Sequence, residues 1–247
     1  MANERLSPSA QRELLEKILL RCKTTDPRSP PPVVVFDLDG TLMDNRPRSI
    51  QILKELADSW ATREPELSAK MKQVREDDLL YLFGDSLAKI GVEKPELIAE
   101  GEAFWRDRFF HDPHMVHDVA IAGAVSFAHD LYAARATLVY LTGRDLPNMG
   151  LGTFRSLRDL GFPIGVAATE IILKPDAAMP DEAFKRDLAP ELTRVGDVIA
   201  AFDNEPGNCN VFARAYPQCL SVLVDTQFMP GPPPLLPQIV KIGDFSR

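Results

Sequence analysis

Short apolar runs rich in β-branched residues recur along this chain with helical patterns between them, and that alternation leaves few folds open. The runs are VVVF (33–36), ATLVYL (136–141), GVAA (165–168), DVIAAF (197–202) and LSVLV (220–224), with a last short one, IVKI. A run with no polar alternation suits a strand covered on both faces. The segments between read as helices: AVSFAHDLYAA, LGTFRSLRDLG, DEAFKRDLAPEL and EPGNCNVFARAY. Strands alternating with helices predict an α/β core, a Rossmann-like parallel sheet with helices on both faces.

One stretch does not alternate. Residues 46–118 read as helix after helix and contain Trp60 and Trp105. This predicts an all-helical cap inserted after the first strand, with the core formed by 31–45 and 119–247. Residues 1–30 form a leading unit. Within it, Leu14, Leu15, Ile18, Leu19 and Cys22 share one face of a helix, Pro8 suits its first turn, and the TTDPRSPPP segment acts as a linker. The helix is expected to pack on the main domain. PGPPPLLP (230–237) predicts an extended strap before the last strand.

Composition narrows the function classes. A net charge of −8 argues against a partner held mainly through a nucleic-acid backbone, which favours basic surfaces. Three cysteines, Cys22, Cys209 and Cys219, in 247 residues suggest reduced, structural thiols. The N-terminal residues lack the basic start and apolar run of a signal peptide, and no run reaches the roughly 20 residues of a membrane span. A cytoplasmic protein with no membrane partner is expected; oligomeric state is open.

In a parallel sheet, ligands sit beyond the carboxyl ends of the strands. VVVF runs into Asp37, Asp39, Gly40 and Thr41; ATLVYL into Thr142, Gly143, Arg144 and Asp145; DVIAAF into Asp203, Asn204 and Glu205. Acids are rarely buried unless paired or metal-bound, so three strand ends meeting on this set predict a site. Carboxylates from two strands suit Mg²⁺. Asp37 could attack phosphorus, and Asp39 could act as general acid and base. Gly40 permits a sharp turn out of the strand. Thr142 and nearby N–H groups could hold phosphoryl oxygens. A cation should complete the site. Lys185 is one candidate, early in a helix with Asp181 as N-cap after Pro180; Lys174, at the end of a strand-like run, is the other.

These residues also carry a resemblance. VVVFDLDGTL is similar to the first motif of the haloacid dehalogenase superfamily, VYLTGR to the second, and AFDNEPGN to the fourth. The resemblance covers about 33–44 and 120–225. It implies a phosphatase with a helical cap, working on a small phosphorylated metabolite through an aspartyl-phosphate. It implies Asp37 as nucleophile, Asp39 as general acid/base, and Thr142 on the phosphate. It places Mg²⁺ among Asp37, the Asp39 carbonyl and Asp203, and it favours Lys185 over Lys174. Thr142, Gly143 and Arg144 would bind substrate. Many relatives carry a second acid where this chain has Asn204; Glu205 could compensate, and Asn208 could support the loop.

Rival readings differ in kind. A phosphomutase or phosphonatase would share the fold; a dehalogenase would need no acid at Asp39; a non-catalytic binding protein would have lost the chemistry. Arg144 could clamp substrate or pair with Asp145 or another acid. His111, His114 and His117 lie close in sequence, but their spacing with Pro113 between them does not suit a metal face. That segment reads as a cap-to-core hinge.

Overall fold

A computed structural model describes residues 4–23 and 29–247; residues 24–28, most of the expected linker, lie outside the described residues. Six parallel strands form the sheet. In chain order these are β1 (Pro32–Phe36), β4 (Thr137–Asp145), β5 (Thr169–Lys174), β6 (Asp197–Asp203), β7 (Leu220–Val224) and β8 (Val240–Ile242). Their spatial order is β5-β4-β1-β6-β7-β8, so the first strand sits inside the sheet between β4 and β6.

Alternate residues of β1 feed two cores, as the two-residue side-chain period requires. Val34 and Phe36 pack on one face with Phe127, Leu157 and Phe245. Helices α1 (Pro8–Cys22), α6 (Ala124–Ala133) and α7 (Leu146–Leu160) cover that face. Val33 and Val35 pack on the other with Phe184 and Phe212, from α8 (Asp181–Leu188) and α9 (Pro206–Ala215). Phe36 stacks on Phe202 with ring centroids 5.1 Å apart, joining β1 to β6 directly beneath the strand ends. α1 buries Leu15, Ile18 and Cys22 against the core, and Pro8 is its first residue.

Residues 46–118 are helical and carry their own core around Leu53, Leu56, Trp60 and Leu87. They comprise α2 (Arg46–Trp60), α3 (Pro65–Met71), α4 (Phe83–Ile90), α5 (Pro95–Phe109) and two 3-10 turns, Glu76–Asp78 and Asp112–His117. At the root of this unit, β2 (Met43–Asp44) pairs antiparallel with β3 (Val119–Ala120), clasping the outgoing and returning chain. Among the described residues no helix is long and apolar enough to cross a membrane.

The sequence reading needs two corrections here. GVAA is a turn: Gly165 and Ala168 both have positive φ, and the strand begins at Thr169. Asp181 is the first helical residue of α8; Pro180 holds the cap position, with extended φ and ψ.

Candidate active site

The Asp37 N–H still bonds the Phe202 carbonyl of β6 at 2.9 Å, so its side chain leaves the sheet beside Asp203. Lys185 joins the two acids. Its Nζ donates to Asp37 Oδ1 at 2.6 Å and to Asp203 Oδ2 at 2.7 Å. Phe184, the preceding residue, is seated in the core against β1 and β4, and this positions Lys185. The other candidate, Lys174, donates instead to Asp181 Oδ1 at 2.7 Å and to the Met179 carbonyl. The helix register therefore brings Lys185, and not Lys174, to Asp37 and Asp203.

All three groups of this triad are buried. Burial is the largest influence on Asp37 and raises its pKa; the ammonium of Lys185 pulls it down, Asp203 pushes it up, and it ends at about 7. Burial lowers Lys185, but Asp203 and then Asp37 outweigh that effect and leave it above the usual lysine range. Thr41 Oγ1 donates to Asp37 Oδ2 at 3.1 Å and to Asn204 Oδ1 at 3.3 Å. Asp203 Oδ1 accepts the Glu205 N–H and Asn208 Nδ2, so Asn208 braces the acid loop.

Gly40 turns the chain with φ of +76°. A Cβ there would also lie 2.5 Å from Asn204 Nδ2. At the neighbouring strand end, a Cβ on Gly143 would lie 2.0 Å from Asp181 Oδ2, so the absence of a side chain admits that carboxylate.

Asp39 sits in a different environment from Asp37. Arg144 grips it with two bonds, Nε to Oδ2 at 2.8 Å and Nη2 to Oδ1 at 2.7 Å. Arg48 Nη2 adds a third at 3.2 Å. Both guanidiniums also reach Asp118: Arg48 Nε to Oδ1 at 2.7 Å and Arg144 Nη2 to Oδ2 at 2.9 Å. Two arginines and two aspartates thus form a neutral cluster. Arg48, Arg144 and Asp118 are buried, and the Asp39 side chain keeps 28% exposure. Burial raises Asp39, but Arg144 and then Arg48 outweigh it, holding the carboxyl far below the usual range.

Arg144, expected on substrate, lines the cavity while most of its donors are engaged within the protein. Its donors are engaged by Asp39, Asp118 and the Thr153 hydroxyl. It pairs with another acid and not with Asp145, which caps α7 by accepting the Asn148 N–H. Thr142 is fully buried and its Oγ1 accepts the Arg144 N–H at 3.2 Å; Gly143 and Arg144 form the cavity wall at that strand end. Arg48 and Asp118 carried no site signal in the sequence. Arg48 lies in RPRS at the start of a helix, and Asp118 directly follows His117, with no local pattern to single out either. Of those, His114 faces Glu55 at 3.2 Å, and the cavity is not lined by any of the three.

The donor chemistry bears on a metal. Among the described residues no three His, Cys, Asp or Glu side chains are gathered to hold an ion by themselves. Mg²⁺ commonly takes only one or two carboxylates, with water and substrate oxygens completing the shell. Asp37 and Asp203 supply that number beside the Asn204 amide oxygen. Two carboxylates facing one ammonium also leave negative charge to be compensated. The residues fit Mg²⁺.

Above these groups lies a cavity of about 870 Å³ between the sheet and the helical unit, lined by Asp37, Asp39, Lys185 and Asp203 below and by residues of α4 and α5 above.

No protein-family model matches this chain, and no curated protein matches it. Solved structures do. A HAD-superfamily hydrolase from Ehrlichia chaffeensis is similar at 12% identity and a TM-score of 0.50, over 88% of this chain and 93% of its own. A presumed phosphatase from Clostridium difficile is similar at 15% identity and a TM-score of 0.52, over 85% and 93%. At these identities the likeness concerns architecture: the chain has the fold of the haloacid dehalogenase-like hydrolases, a parallel α/β core whose strand ends carry the acidic groups described above.

Proposed function

We propose that this protein hydrolyses a small phosphate monoester, with Asp37 as nucleophile and an aspartyl-phosphate as intermediate. The observation that carries this reading is the Asp37–Lys185–Asp203 triad at the floor of a cavity large enough for a metabolite. A carboxylate oxygen aimed out of a strand end can attack phosphorus in line with a leaving oxygen. Lys185 holds Asp37 by one oxygen, limiting its rotation, and places positive charge where the phosphoryl group gathers negative charge. When bound, Mg²⁺ supplies further charge neutralisation on the phosphoryl oxygens and keeps Asp37 ionised.

Asp39 completes the cycle as proton acceptor for the water that opens the acyl phosphate. Held ionised by Arg144 and Arg48, it has room for a proton but is weakened as a base, and little of it is protonated for the leaving oxygen. Rates should therefore rise with the acidity of the leaving alcohol. The roof of helices excludes bulk water around the intermediate.

The test is phosphate release with added Mg²⁺ from a panel of phosphorylated metabolites, with Asp37→Asn alongside. Acid-quenched enzyme should carry a phosphate mass on the peptide containing Asp37. Release of no phosphate from any ester would instead favour a binding protein on this fold, and return of the phosphoryl group to a sugar would favour a mutase.

A further inference from the structure

The cavity above Asp37 is divided in its chemistry. Its floor is charged and hydrogen-bonded, built from the sheet side. Its roof carries all the aromatic side chains that line it, namely Tyr81, Phe83, Trp105, Phe109 and Phe110, with Ser86, Glu102 and Arg106 beside them. A phosphoryl group and its ligands occupy only the floor.

The roof is ordered from within. Trp105 lies between Phe83 at 5.4 Å and Phe109 at 4.4 Å, both stacked on it. Its ring N–H donates to Ser49 Oγ at 3.1 Å, which satisfies the polar edge and fixes the ring. Phe110 stands edge-on to both Trp105 and Phe109, at 79° and 78°. It remains 41% exposed, and its cavity neighbours Leu80 and Leu82 are 44% and 40% exposed. The loop carrying Leu80 to Leu82 is tied down over the core. Gln227 Nε2 donates to the Leu79 carbonyl at 2.7 Å, and Ser86 Oγ accepts the Leu80 N–H at 2.9 Å. Apolar side chains are thus held open to water in a concave wall facing the nucleophile, the usual make-up of a site for an apolar group.

We infer that the phosphate ester this site takes carries an apolar, aromatic ring in its leaving group, seated against Phe110 and the Trp105–Phe109 stack while the phosphate reaches Asp37 and Lys185. A polyol seated there would set hydroxyls against the ring faces of Phe110 and the Trp105–Phe109 stack, which cannot replace the hydrogen bonds it makes to water. The inference rests on the phosphatase reading for its kinetic test and on the cavity alone for its binding test.

Benzyl phosphate and glycerol 1-phosphate are both esters of primary alcohols, so leaving-group chemistry gives the benzyl ester no advantage. With Mg²⁺ present, kcat/KM should favour benzyl phosphate at least fivefold, and Phe110→Ala should cut that ratio at least threefold. A smaller preference, or a ratio that survives Phe110→Ala, overturns the inference. Should neither ester turn over, the metabolite panel decides the phosphatase reading and binding decides this inference. Benzylphosphonate should then bind at least fivefold tighter than methylphosphonate and change the tryptophan emission, since Trp105 lines the cavity and Trp60 is fully buried. Binding below that margin overturns the inference.

Discussion

Arg144 on β4 holds Asp39, at the turn after β1, by both carboxylate oxygens at 2.8 and 2.7 Å. The same guanidinium reaches Asp118, and Asp118 is held in turn by Arg48 of α2. The acid two residues beyond Asp37 is therefore fastened to the root of the helical unit by a buried, charge-balanced cluster.

Removing one member of such a cluster strands the others. Arg144→Ala leaves buried Asp118 and Asp39 to share Arg48 as their one guanidinium partner. Unfolding free energy should fall by about 3–5 kcal/mol, the usual cost of breaking a buried pair. Arg144→Lys keeps the charge but cannot make the two-pronged contact, so it should recover only part of that loss. Denaturant titration of the three proteins checks both statements.

The two lysines should differ sharply in their effect on activity. Lys185→Met removes the ammonium between Asp37 and Asp203 and should lower kcat by about 10²–10³-fold. Lys174→Met removes a partner of Asp181, whose side chain is 57% exposed, and should cost about tenfold or less. Steady-state kinetics on any ester the enzyme accepts compares them.

Asp37 makes stability depend on pH in a defined direction. Its pKa is raised from the ordinary 3.8 to about 7, chiefly by burial, so the folded protein holds a proton there that the unfolded chain gives up. That contribution is fully present below about pH 4 and is lost as pH rises towards 7. With chelator present, Asp37→Asn should flatten the stability profile between those limits. Mg²⁺ should flatten it in the wild type by keeping Asp37 ionised. Melting temperatures across pH 4–8, with chelator and with Mg²⁺, measure both.

Gly40→Ala tests the turn that follows the two acids. A side chain at φ of +76° costs on the order of 1–2 kcal/mol, before any displacement of Asn204 is counted. Both the melting temperature and kcat should fall, because Asn204 also accepts from Thr41, the threonine that bonds Asp37.

What could be read from the chain was what local pattern dictates. Apolar β-branched runs mark β1, β4, β6 and β7, and the acids at their carboxyl ends mark Asp37, Asp39 and Asp203, because a carboxylate is costly to bury within a strand covered on both faces. The helical spacing of 46–118 marks the inserted unit in the same way. GVAA misled because apolar content says nothing of φ, and the chain turns through positive φ at Gly165 and Ala168. Two other matters lay beyond any local signal. Lys185 prevails over Lys174 because Phe184 docks α8 on the sheet. Asp39 is clamped because the β2–β3 clasp brings Asp118 back beside Arg48, 70 positions earlier. Strand ends follow from side-chain burial along a few residues, whereas ion pairs between distant segments exist only once packing has set the distance between them.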